Sequence, residues 1–262
     1  MRYLAENQDD IRQLLLKEPR GNVIRQRQRR TAVQPSGGAA RLCRDGVDRS
    51  TPSCPAATRS ASATVVLETG LRADGEPVTE LVLESPPAGL IRLTCTCRDG
   101  KVTSVRFRNQ PAFVYHLGAA VEVAGLGTLP VDVAWGGMAY VLGRRPESRL
   151  RSSRPTKPGT CAWSASRSSE RLPRSLPVVH PEHPDFAGIT IAAFTRPAER
   201  VDGVLTARNA VVVSPGRLDR SPCGTGTSAR LAVMHARGRD RGRRARSSTS
   251  RSSAAGFDAM IE

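Results

Sequence analysis

The chain alternates between stretches with a readable hydrophobic period and stretches with none. In residues 1–22, Ile11, Leu14 and Leu15 recur at helical spacing and Pro19-Arg20-Gly21-Asn22 ends the run, which predicts a helix and a turn. Residues 23–62 carry no period and predict no structure. The signal returns at Ala63, where 63–70 predicts a buried helix stopped by glycine. Strand-like runs follow at 79–84, 90–97, 102–109, 112–115 and 129–134, with Arg98-Asp99-Gly100-Lys101 as a hairpin connection. Trp135-Gly136-Gly137-Met138 breaks the chain before a short strand at 139–142, and 144–175 is again without period. Two more strands, 189–195 and 207–213, precede a helix-compatible stretch at 228–236. Many strands and few helices predict an α+β fold with mixed or antiparallel sheet. The 262 residues suffice for two modest domains, here divided as 1–135 and 136–262.

Charge sharpens the division between readable and unreadable stretches. The net charge is +16, which invites a nucleic-acid reading. It is concentrated, however, in 23–62 (eight Arg against two Asp), 144–175 (eight Arg and one Lys against two Glu) and 236–256 (seven Arg against one Asp). These segments carry more than the whole net charge, so the remainder of the chain is mildly acidic. Lys157 is their one lysine and Trp163 their one aromatic, whereas RNA-binding arms interleave aromatics. Arg, Ser, Pro and Ala without Lys is what a GC-rich gene yields when read out of frame. The three segments are therefore read as frame-shifted translation, with a basic nucleic-acid-binding tail as the remote alternative. No run of eighteen apolar residues spans a membrane, and residues 1–17 hold no signal-peptide core. A reduced, cytoplasmic protein is expected. Cys95 and Cys97 read as small hydrophobes in a strand, and neither the six cysteines nor His116, His180, His183 and His235 have metal-ligand spacing.

Chemistry is concentrated in Asp219-Arg220-Ser221-Pro222-Cys223-Gly224-Thr225-Gly226-Thr227-Ser228-Ala229-Arg230. A cysteine between a proline and a Gly-Thr-Gly turn, followed at once by a helix, is expected among unpaired amides at the positive end of the helix dipole. That setting lowers a thiol pKa and frees the thiolate to act as base or nucleophile. The same amides can hold a carboxylate. The alternative is a buried structural cysteine beside a tight turn.

The ordered stretches resemble the proline racemase family, which includes hydroxyproline epimerases and trans-3-hydroxy-L-proline dehydratases. The matching residues, in the family's order, are Lys17-Glu18-Pro19-Arg20-Gly21, Glu84-Ser85-Pro86-Pro87-Ala88-Gly89-Leu90, Asn109-Gln110-Pro111-Ala112-Phe113, Val131-Asp132-Val133-Ala134-Trp135-Gly136-Gly137, Arg208-Asn209-Ala210-Val211 and the run from Asp219 to Arg230. The resemblance implies two pseudo-symmetric lobes like those of diaminopimelate epimerase, each offering a catalytic residue at a helix N-terminus, with substrate in the cleft between them. It implies no cofactor and a small-molecule substrate, hydroxyproline or proline, and leaves a homodimer open. Carried over by motif, Cys223 is the acid/base thiol, Gly224 and Thr225 hold the substrate carboxylate through their amides, and Asp219 pairs with the ring ammonium.

The chain departs from the family at the first catalytic motif, which reads Met-Cys-Gly-His-Gly or, in a serine-bearing subgroup, Met-Ser-Gly-Ser-Asn. Here Pro52-Ser53-Cys54-Pro55-Ala56 stands in its place, and no glycine follows Cys54 to form an anion-binding turn. Codon degeneracy allows residues 54–62, read one base upstream, to encode Met-Ser-Gly-Ser-Asn-Thr-Ile-Cys-Val. That reading places the parent gene in the serine-bearing subgroup. By the same resemblance, the chain is expected to begin after the family's first strand and to end before its last ones. The expected function is trans-3-hydroxy-L-proline dehydration, 4-hydroxyproline epimerisation, or both. Proline racemisation and a catalytically dead product are the alternatives.

Overall fold

Period-two alternation sorts the strand side chains into those that meet a helix and those that do not. The protein's structure is a computed structural model that describes residues 27–31, 40–45, 56–85, 89–123, 127–144, 176–184, 187–189, 191–213, 217–219, 221–239, 245–248 and 256–261. The chain divides into two units, Met1–Gln110 and Pro111–Glu262.

The first unit carries a five-stranded sheet in the order β1-β2-β3-β4-β5. Its strands are β1 (Arg27–Thr31), β2 (Ala40–Asp45), β3 (Val78–Ser85), β4 (Gly89–Arg98) and β5 (Lys101–Phe107). β2 and β3 run parallel and the other pairs antiparallel. Along β4, Ile91, Leu93, Cys95 and Cys97 are buried while Arg92, Thr96 and Arg98 are exposed. The buried set packs with Leu81 and Leu83 of β3 and with Ala63 and Leu67 of helix α1 (Ala56–Glu68). The buried positions of α1, Arg59, Ser62, Ala63, Val66 and Leu67, recur three and four apart, which makes one helix face. Arg59 Nη1 donates to Asn109 Oδ1 at 2.9 Å, and its guanidinium lies 5.6 Å from the Phe107 ring centroid. Asp99 (φ 53°) and Gly100 (φ 68°) turn the β4–β5 hairpin, two consecutive left-handed residues that match the right-handed twist of the strands. Lys101 Nζ and the Val102 amide both donate to Glu68, tying α1 to that hairpin.

The second unit is built on a nine-stranded mixed sheet whose main path runs β14-β13-β11-β9-β8-β7-β6. Its strands are β6 (Phe113–Val123), β7 (Gly127–Trp135), β8 (Ala139–Arg144), β9 (Ile191–Thr195), β10 (Glu199–Val201), β11 (Val204–Val213), β12 (Arg217–Leu218), β13 (Ala245–Ser248) and β14 (Gly256–Ala259). β10 and β12 both pair with β11. β8–β9 and β11–β13 are parallel pairs. Helix α2 (Gly224–Ala236) covers one face, meeting Ala134, Tyr140, Leu142, Ile191, Ala193 and Val211 with its Ala229 and Val233. The alternate residues Val131, Val133, Trp135, Ala139 and Val141 form a second cluster with Val178 and Ile189 on the other face. No helix among the described residues is long and apolar enough to cross a membrane.

The α+β class and its mixed sheets agree with the sequence pattern, and three expectations shift. The units meet at Gln110 and Pro111 rather than at 135/136, because β7 pairs with β6 on one side and β8 on the other. Residues 23–62, expected to be without structure, contribute β1, β2 and the first turns of α1, and the basic segment 236–256 contributes β13. Backbone pairing, which needs no side-chain period, accounts for the strands among them. Both helices also start earlier than their apolar residues suggest. The helix expected at 1–22 and the segment 145–175 lie outside the described residues.

Two leucines of β4 test this assignment of faces: Leu93 is 1% exposed and Leu90 is 63% exposed. In urea unfolding, Leu93→Ala should cost about 2–5 kcal/mol. Leu90→Ala should stay within about 0.5 kcal/mol of the parent.

Candidate active site

Cys223 is the N-cap of α2 and adopts φ 58°, ψ 87°, a left-handed conformation that side chains other than glycine rarely take. Such a residue persists only when its surroundings hold it, and here they do. The Asp219 carboxylate accepts from the Ser221 amide at 2.9 Å through Oδ1 and from the Ser221 hydroxyl at 3.0 Å through Oδ2. Ser221 Oγ in turn accepts from the Cys223 amide at 3.1 Å. Asn209 Nδ2 on β11 donates to the Pro222 carbonyl at 3.1 Å. Thr227 closes the first helical turn, its amide and its hydroxyl both donating to the Cys223 carbonyl, at 2.8 and 2.9 Å. The amides of Gly224 and Thr225 fall in the first turn, where the helix itself supplies no acceptor.

Cys223 is 5% exposed and lies against the sheet. The hydrogen-bonding neighbour of its sulfur is the Tyr140 hydroxyl on β8, 3.2 Å away. The Tyr140 hydroxyl is also 2.6 Å from Thr225 Oγ1. Tyr140 itself is fully buried. It points to α2 because its strand neighbours Ala139 and Val141 occupy the opposite face.

Glycines make this approach possible. A Cβ on Gly136 would stand 2.1 Å from the Thr225 carbonyl oxygen and 2.5 Å from the Ala229 nitrogen. Gly137 holds φ +106°, and a Cβ there would press on the Thr225 methyl at 3.1 Å. A Cβ on Gly226 would meet Cys223 Sγ at 3.0 Å and the Tyr140 ring at 3.2 Å. Farther along α2, the half-buried Arg230 donates to the Arg208 and Arg196 carbonyls and anchors the helix to β11 and the residue following β9. Burial lowers its pKa to about 10.

The four residues singled out in the sequence, Asp219, Cys223, Gly224 and Thr225, are thus brought together at one helix start. Cys54 lies outside the described residues. One expectation is overturned. The helix N-terminus does not make this thiol acidic, because burial pushes the Cys223 thiol up and the Asp219 charge adds to that. The Tyr140 hydroxyl, the Gly226 amide and the Thr225 hydroxyl oppose the rise without cancelling it. Burial, with Cys223 alongside, also drives Tyr140 well above the ordinary phenol range. Tyr140 was not anticipated. Its strand is buried on both faces, so no alternation shows which residues face the helix. Asn209 was visible only as part of a matching tetrapeptide. It is buried, and its Oδ1 has no hydrogen-bond partner among the described residues.

This α+β fold has known counterparts. A family model described as proline racemase matches residues 1–253. The chain belongs to the proline racemase family. Among solved structures it is similar to a probable proline racemase from Agrobacterium radiobacter K84 with bound carbonate, at 30% identity and TM-score 0.75, covering 98% of this chain and 73% of that one. It is equally similar to a hydroxyproline epimerase from Agrobacterium vitis with bound trans-4-hydroxy-L-proline, at 30% identity and TM-score 0.75, covering 94% of this chain and 71% of that one. A PhzF-family phenazine biosynthesis protein from Bacillus anthracis shares the fold, at 10% identity and TM-score 0.59, covering 98% of this chain and 80% of that one. The family and the two Agrobacterium neighbours support an isomerase-type enzyme.

Two measurements check the site. The ultraviolet absorbance of the Cys223 thiolate, taken as the difference from Cys223→Ser, should titrate with a midpoint above the ordinary thiol value of about 8.5. A midpoint at or below that value would contradict the dominance of burial. Gly136→Ala should lower stability by about 1–3 kcal/mol or more, since backbone must move. Gly143→Ala is the control, because its Cβ would meet only a Val131 methyl at 4.0 Å.

Proposed function

We propose that the protein removes the Cα proton of a hydroxyproline with the Cys223 sulfur, without a cofactor. One observation carries this reading: Cys223 is the N-cap residue of α2, at the turn whose Gly224 and Thr225 amides are left without helical acceptors. Those amides suit a carboxylate, and the positive end of the helix favours the charge that develops beside it when Cα loses its proton. Asp219 has both oxygens on Ser221, yet each carboxylate oxygen can accept more than one hydrogen bond. It is the group proposed to meet the ring ammonium.

The raised thiol fits this chemistry. A Cα proton is weakly acidic, so a weak base would not take it. A buried thiolate, once formed, is a stronger base than an exposed one. In the reverse sense, a sulfur that rests as neutral thiol is ready to return a proton. Exclusion of water strengthens each electrostatic contact in the site.

The favoured products are the Cα epimer of 4-hydroxyproline and, from trans-3-hydroxy-L-proline, the cyclic enamine left when the Cα proton and the 3-hydroxyl depart as water. The first is supported by the trans-4-hydroxy-L-proline bound in the similar epimerase. The second is supported by the serine-bearing motif that codon degeneracy allows residues 54–62 to encode out of frame.

Proton exchange at Cα in deuterated water, followed by NMR with proline and both hydroxyprolines, separates these outcomes. Exchange with inversion marks epimerisation, loss of the 3-hydroxyl marks dehydration, and exchange with proline alone would displace the hydroxyproline reading. Cys223→Ser should lower any exchange by about 10²–10⁴-fold, the usual worth of a positioned acid/base group. Unchanged exchange in that variant would remove Cys223 from the reaction.

A further inference from the structure

We infer that Tyr140 is a positioning residue whose hydroxyl, shared between Cys223 Sγ and Thr225 Oγ1, supplies the sulfur with a matching hydrogen bond in both of its protonation states. The three polar atoms form a short chain, with the Tyr140 hydroxyl 3.2 Å from the sulfur and 2.6 Å from the Thr225 hydroxyl. All three residues are buried, so water does not substitute for a missing partner without entering the packed face between α2 and β8.

Each hydroxyl carries one proton and accepts through its lone pairs. With the sulfur as neutral thiol, Cys223 S–H donates to Tyr140 Oη and the Tyr140 O–H donates to Thr225 Oγ1. With the sulfur as thiolate, the Tyr140 O–H turns to donate to Sγ, and the Thr225 O–H turns to donate to Tyr140 Oη. Two hydroxyl hydrogens rotate, no heavy atom moves, and the only proton gained or lost is the one on sulfur. A group that must take a proton in one direction and return it in the other needs this symmetry. A fixed donor would favour thiolate alone, and a fixed acceptor thiol alone. A hydrogen bond to an ionised partner is also the stronger kind, so the relay matters most for thiolate. Phenylalanine would fill the same space beside Gly226 and offer the sulfur nothing.

This role rests on Cys223 being the acid/base thiol proposed above, but it is tested on the sulfur itself, in the full chain and without substrate. Failure of the hydroxyproline assay therefore leaves the result standing. The probe is the ultraviolet thiolate absorbance of each protein minus that of its own Cys223→Ser counterpart, titrated upward in pH while circular dichroism follows the fold. Tyr140→Phe should raise the midpoint by about one unit or more, the worth of a hydrogen bond to a charged group. Thr225→Val should raise it by less, because Tyr140 keeps its own proton. Thr225→Ser, which restores the hydroxyl, should return it to the parent value. A purely structural Tyr140 would leave the midpoint of Tyr140→Phe where the parent has it, and that result overturns the inference. Should Tyr140→Phe not fold, the Thr225 pair decides: equal shifts in Thr225→Val and Thr225→Ser would assign the effect to packing and refute the relay.

Discussion

The seat of the Cys223 sulfur depends on two backbones in contact. Gly136, just past the end of β7, lies so close to the first turn of α2 that no side chain fits between them. That contact sets the height of the helix above the sheet. Gly226 limits its rotation, because a Cβ there would crowd both the sulfur, at 3.0 Å, and the Tyr140 ring, at 3.2 Å. Together they place the left-handed Cys223 cap directly over β8. The Trp-Gly-Gly and Gly-Thr-Gly runs, far apart in sequence, are thus the two halves of one close approach.

The electrostatics of the site follow from that packing more than from the helix. A helix terminus contributes about 0.3–1 kcal/mol to a nearby charge, rising to about 2 kcal/mol in partly buried geometry. Full burial can shift an ionisable group by about 3–5 pKa units, which is several times larger. The sulfur sits under a helix start and is still harder to ionise than a free thiol. What tempers the cost is directed hydrogen bonding from Tyr140 and Gly226. The nearest carboxylate works against ionisation, and its structural task is to hold Ser221, which holds the cap.

The sequence conveyed strand positions wherever one face is buried and the other wet, as in β4, where Leu93 and Cys95 alternate with Arg92 and Thr96. It conveyed the β4–β5 hairpin because Asp-Gly has few other uses between such runs. It conveyed the helix start at Cys223 because Pro and two glycines punctuate the chain there. Tyr140 was not legible, since β8 is buried on both sides and reads as an unbroken apolar run. The direction of the thiol shift was not legible either. A dipole can be inferred from local sequence, but burial is a property of the tertiary fold. The division between Gln110 and Pro111 was not legible either, since Gly136 and Gly137, just past β7, serve a contact with α2.

The arginine-rich segments show how little side-chain pattern a strand needs once its neighbours are in place. β13 reads Ala-Arg-Ser-Ser, yet it pairs in parallel with β11 from Leu205 to Arg208 and antiparallel with β14. Its ladder bonds come from the main chain, and the buried Ala245 opposite Leu205 meets the core with a small apolar group. The groups that hold the sulfur lie elsewhere. Gly136, Tyr140, Asn209, Asp219, Ser221, Thr225, Gly226 and Thr227 all fall in stretches whose pattern is readable. Whatever the history of the basic segments, the physical determinants of the Cys223 seat are those of a chain that retains its own internal logic there. Pairing of β13 beside β11 stabilises the strand that carries Asn209 without contributing a group to the sulfur.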